Sequence, residues 1–177
     1  VLLDNIFYPV APGLPKQLSG VLEEGSKLEP GWMAQKADLL GNWFTLDDDL
    51  LGNLPTVQHP RILLQLEGSL NHQEAKLFFQ YGETTLPASI RDAQFVDGGV
   101  SNVEVERTAI DTLEDLGFRE KGTGTWVLKD KDQILRFLAH GYPSLDPNWI
   151  ISTGERFEHA LTQVEPVRTE FDFQGSG

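Results

Sequence analysis

The chain has 177 residues, 40% of them hydrophobic, no cysteine and a formal net charge of −13. That length suits one domain, or one domain with an appendage, and that apolar content is enough for a core. The lack of cysteine excludes disulfides, thiolate metal sites and cysteine nucleophiles, and the acidic balance disfavours duplex binding by the surface as a whole, because such binding rests on Lys and Arg contacts to phosphate.

Residues 1–58 are expected to form an N-terminal helical or extended portion packed on a main domain of residues 59–177. Pro9, Pro12 and Pro15 interrupt any long helix near the start. Gln17 to Glu24 has the spacing of a short helix with Leu18, Val21 and Leu22 on one face. Behind Pro30, the residues Trp32, Lys36, Leu39 and Leu40 sit at helical spacing, and Gly41 is a natural stop. Asp47-Asp48-Asp49 is a compact acidic cluster. Leu50 to Pro60 reads as a connector punctuated by Gly52, Pro55 and Pro60.

Arg61 to Gly82 then alternates with period two. Ile62, Leu64, Leu66 and Leu70 share one phase, and Ala75, Leu77, Phe79 and Tyr81 share another, around a polar Asn71-His72-Gln73 turn. This predicts a hairpin with one buried face. A short strand is expected over Ala93 to Val96, ahead of an Asp97-Gly98-Gly99 turn. Ser101 and Glu104 form a capping-box pattern for a helix to about Leu116. Its apolar stripe is Val105, Ala109, Ile110, Leu113 and Leu116, with Gly117 placed to end it and the hairpin's apolar face as the surface it covers.

Gly122-Thr123-Gly124 turns the chain into a Thr125 to Lys129 strand. Asp130 and Gln133 open another helix through Ile134, Leu135, Phe137 and Leu138, stopped at Gly141. Trp149 to Ser152 is a strand, Glu155 to Leu161 a helical turn, and Val167 to Phe173 a final strand. The fold class is therefore α+β, a mainly antiparallel sheet covered by one or two amphipathic helices.

Chemistry-bearing patterns are few. No Gly-rich turn ends in Gly-Lys-Ser/Thr, so there is no P-loop. Gly98-Gly99 ahead of a helix offers amides to an anion but is followed by Glu104 and Glu106 rather than by a lysine. Gly122 and Gly124 lack the third glycine of a dinucleotide turn. Among His59, His72, His140 and His159, only His159 has a candidate co-ligand at helical spacing, Glu155. Neither that pair nor Asp47 to Asp49 amounts to a metal site. No Gly-x-Ser-x-Gly elbow marks a nucleophile. Trp32, Trp43, Trp126 and Trp149 neighbour apolar residues and read as core rather than as base-stacking platforms. The sequence assigns no catalytic, cofactor-binding or metal-ligating residue, and no cofactor.

The order of motifs is more informative. Phe-x-Tyr-Gly (Phe79 to Gly82) precedes a helix ending Leu-x-x-Leu-Gly-Phe (Leu113 to Phe118). A strand, Lys-Asp-x-x-Ile-x-x-Phe-Leu (Lys131 to Leu138) and a Trp-x-Ile strand follow. This order resembles the bacterial helicase-associated domain of Swi/Snf-type ATPases, an accessory region N-terminal to the helicase core, over about residues 60–173. The resemblance implies a non-catalytic accessory or regulatory domain of a DNA-dependent ATPase, with the helicase core of the same polypeptide as partner and DNA reached through the full-length protein. It supplies no catalytic residue. Without an initiator Met, and with Gln-Gly-Ser-Gly straight after an apparent strand, the chain is expected to be a fragment of a longer protein.

Two other readings stand beside it. A direct nucleic-acid-binding module requires a basic stripe built from Arg61, Lys76, Arg91, Arg107, Arg119 and Lys121. A stand-alone metal-dependent enzyme requires Asp47 to Asp49 or the Glu155/His159 pair. No apolar run approaches about 18 residues and no basic segment leads a long apolar one, so neither membrane span nor signal peptide is expected, and the expected location is cytoplasmic.

Overall fold

The computed structural model describes residues 2–3, 6–7, 30–41, 54–89 and 93–164. Strands β1 (Leu2–Leu3) and β2 (Ile6–Phe7) pair antiparallel. Helix α1 (Pro30–Gln35) opens on a proline, whose missing N–H costs nothing at a helix start. The single helix expected here is two. The Lys36 N–H is shared between the Trp32 and Met33 carbonyls at 3.1 and 3.2 Å, and α2 (Ala37–Gly41) begins after it.

Strand β3 (Val57–Gln58) leads into the predicted hairpin, β4 (Arg61–Ser69) and β5 (His72–Tyr81). The turn is shorter than expected. Ser69 faces His72, so Leu70 and Asn71 make the turn, Leu70 leaves the apolar stripe, and His72 and Gln73 are strand residues. Strand β6 (Thr84–Pro87) returns along β5, and β7 (Phe95–Val96) and β8 (Gly99–Ser101) follow.

Helix α3 (Val103–Asp115) is not capped as predicted. Ser101 is consumed by β8 and buried, where its Oγ accepts from the Gln94 N–H at 3.1 Å. Asn102 takes the cap position instead, with Oδ1 accepting from the Val105 N–H at 3.2 Å. The far end matches expectation. Gly117 adopts φ 94°, the Phe118 N–H reaches the Leu113 carbonyl and the Gly117 N–H the Glu114 carbonyl, the paired bonds of a Schellman stop.

Strands β9 (Arg119–Gly122) and β10 (Thr125–Leu128) form a hairpin with a register shift at Thr125/Trp126. Helix α4 (Lys131–Arg136) is capped by Asp130, which accepts from the Gln133 N–H at 2.9 Å, as predicted. It continues into a π-helical turn, Phe137–Gly141, and a 3₁₀ turn, Tyr142–Ser144. Strand β11 (Ile150–Thr153) and α5 (Glu155–Thr162) complete the described elements. The expected Gln17 to Glu24 helix and Val167 to Phe173 strand lie outside the described residues.

The main sheet has the order β11-β4-β5-β10-β9, with β6 also on β5. The fold is α+β and the sheet is mainly antiparallel, as expected, but it is mixed through one parallel pairing. β4–β5, β5–β10 and β10–β9 are antiparallel, whereas β11 lies parallel to β4, Ile150 facing Leu63. A second, three-stranded sheet has the order β3-β8-β7, with β3 parallel to β8.

Contacts divide the chain into two compact units. One comprises Val1–Pro60, Tyr81–Thr84 and Ile90–Val105; the other comprises Arg61–Gln80, Thr85–Ser89 and Glu106–Gly177. In the first, Gln35 ties α1 to the start of α3: its Oε1 accepts from the Val103 N–H at 3.3 Å and its Nε2 donates to the Ser101 carbonyl at 3.1 Å. In the second, Leu64, Leu66, Ala75, Leu77, Phe79, Trp126 and Leu128 are buried on one face of the main sheet, and α5 packs against β4. Phe118, Phe137, Phe157 and Tyr142 form a chain of edge-to-face rings, with centroids 4.9, 6.3 and 5.2 Å apart in that order.

Candidate functional site

Among the described residues, those singled out in the sequence do not gather at one place. Glu155 and His159 are both exposed on α5, and the His159 Nε2 meets the Gln163 side chain at 2.8 Å. Among the described residues, no three His, Asp or Glu side chains gather as metal ligands. Asp47 to Asp49 lie outside the described residues. Gly98 and Gly99 belong to the β7–β8 turn and to β8, so a strand separates them from the helix start they were expected to lead into. Trp126 is buried on the covered sheet face, Trp32 and Trp149 are half-buried, and Trp43 lies outside the described residues.

The basic stripe is also broken up. Lys76 and Lys121 converge on Glu74, each at 3.7 Å. Arg119 donates from Nη1 to the Glu114 carbonyl of α3 at 3.2 Å and to the carbonyl of Phe118, just beyond the helix, at 3.1 Å. Arg61 sits at the start of β4 opposite Gln80, Arg107 is exposed on α3, and Arg91 lies outside the described residues.

What the main sheet does present is an organised open face. Side chains facing one another across paired strands point the same way, and alternate residues point oppositely. With Leu64, Leu66, Leu77 and Trp126 buried, the residues between them face outward. The register then lines up Ile150, Leu63 and Phe78 in one straight row across β11, β4 and β5. Ile150 is 51% exposed, and Leu63 and Phe78 are half-buried. The row on one side holds Arg61 and Gln80; the row on the other holds Ser152, Gln65, Lys76 and Thr125. Period-two reading passed over this row because it assigned one phase to the core. The signal was there in the doublets Leu63-Leu64 and Phe78-Phe79, where both phases are apolar.

A family model described as bacterial SNF2 helicase associated matches residues 55–177. The chain belongs to that family. No curated protein and no solved structure matches it. The match begins just before β3 and takes in the main sheet with its open face. A bacterial SNF2 helicase-associated chain is an accessory domain of SNF2-type proteins, and among the described residues no helix is long and apolar enough to cross a membrane.

This SNF2-associated domain also carries a depression of about 510 Å³ at the C-terminal end of α3. Leu116, Gly117, Phe137 and Gly141 line it, together with Arg119, Arg136, His140, Glu114 and Asp115. Arg119 is already committed to the Glu114 and Phe118 carbonyls, and two carboxylates offset the remaining positive charge. The depression is thus a charge-balanced helix terminus, whereas the open sheet face combines exposed apolar area with Arg61 and Lys76 in the rows beside it.

Proposed function

We propose that this chain is a non-catalytic accessory and regulatory domain of a bacterial SNF2-type DNA-dependent ATPase, and that it docks on the helicase core of the same polypeptide. The family match over residues 55–177 carries this reading. The exposed apolar row on the main sheet supports it, since apolar side chains aligned on an open sheet suit a protein partner. Residues 59–177 make up the accessory module and residues 1–58 its N-terminal portion. DNA contact belongs to the full-length protein, which works in the cytoplasm. The test is DNA-stimulated ATP hydrolysis by the helicase core, alone and with the 177-residue chain added. The expected result is complex formation with a changed rate; no binding together with an unchanged rate overturns the reading.

A further inference from the structure

We infer that the open face of the main sheet is the docking surface itself, and that it takes an apolar, carboxylate-bearing protein surface presented by the helicase core. This rests on the accessory-domain reading above and specifies its contact.

Ile150, Leu63 and Phe78 stand abreast on three adjacent strands, so a partner meets one continuous apolar bar rather than scattered residues. The charges beside the bar give the partner's sign. Acidic residues outnumber Lys and Arg 27 to 14 in the chain as a whole. Yet among the described residues the only charged ones in the rows immediately flanking the bar are Arg61, next to Leu63 on β4, and Lys76, next to Phe78 on β5. Glu67 and Glu74 appear only one row further out, where Glu74 is held by Lys76 and Lys121. A locally cationic border in an acidic chain is complementary to carboxylates.

The same layout disfavours other occupants. A second copy would bring a further −13 and set Arg61 and Lys76 against their own equivalents. A nucleic-acid strand needs aromatic platforms in a basic groove, and this face has one half-buried phenylalanine with carboxylates two rows away.

The test titrates the separately purified helicase core with the 177-residue chain at low and high ionic strength. Three variants are compared: Ile150→Asp, the double reversal Arg61→Glu with Lys76→Glu, and Leu135→Asp, an exposed control on α4. Circular dichroism checks that each is folded. Ile150→Asp is expected to weaken binding roughly 10-fold or more, the scale of a central interface residue. The double reversal is expected to weaken binding at low ionic strength and to remove most of its salt dependence, and Leu135→Asp to bind like the parent. Binding that is equal for the parent and the first two variants overturns this inference and leaves the docking reading standing. No binding by the parent chain overturns both. Self-association, or oligonucleotide binding, that depends on Ile150 overturns the assignment in favour of that occupant.

Discussion

Asp130 and Asn102 do the same job at two helix starts, and only one of them was legible. Asp130 and Gln133 form a local pattern with no competitor, and the side chain accepts the Gln133 N–H as the pattern requires. Asp130→Ala is expected to cost about 1 kcal/mol, read as a lower urea midpoint with an unchanged slope. At α3 the better local pattern was Ser101 with Glu104, but a strand that depends on residues far away in sequence claims Ser101, and the cap moves on by one. Glu104 is drawn instead to Lys36 Nζ at 2.5 Å. That hydrogen bond first, and the lysine's charge second, hold the Glu104 carboxyl below its ordinary value of 4.5. A carboxyl lowered on folding contributes stability above its unfolded pKa and loses it as pH falls through the folded one. Lys36→Met should therefore lower stability near neutral pH, and the difference from the parent should begin to shrink as pH falls below about 4.5 and vanish only once the lowered folded-state pKa of Glu104 is passed. Glu104 is 75% exposed, so the effect should be small and reduced further by salt.

At the scale of elements, periodicity found those whose pattern is local and strong: the hairpin, α3, α4 and α5. It missed β9, because Arg-Glu-Lys-Gly has no alternation and is a strand only because β10 pairs with it. It also missed the π-helical turn that widens the backbone where Phe137 and Gly141 enter the core. There a Cβ on residue 141 would lie 2.8 Å from Leu116 Cδ2 and 2.9 Å from Phe137 Cδ2. At the start of that turn Phe137 sits between Phe118 and Phe157 in one ring cluster. Phe157 is fully buried, and Phe157→Ala is expected to cost about 3–5 kcal/mol, measured by chemical unfolding, because it removes the ring contacted by both Phe137 and Tyr142.

For the whole molecule, the α+β class was legible from the mix of periods, but the direction of β11 was not. A four-residue strand reads the same parallel or antiparallel, and only its partner settles the matter. The docking face was hidden for a related reason: it needs three strands in register, and no single stretch of sequence contains Ile150, Leu63 and Phe78 together. The parallel pairing has a consequence in time. β4 and β5 are joined by a two-residue turn and can zip as soon as both are made. β11 must wait, because Ile150 meets Leu63 from 87 positions further along the chain (150 − 63), and the ladder ends with the Gly154 N–H on the Leu66 carbonyl at 2.9 Å. Contacts so distant in sequence make closure slow, and until it happens the edge of β4 stays open beside an apolar row. A chain stopped at Asn148 is expected to remain in that state permanently and to aggregate, seen as light scattering and thioflavin binding that the intact chain lacks. On the ribosome, the same edge would be open for the whole interval between synthesis of the hairpin and synthesis of residue 154, which makes it the place for a chaperone to act.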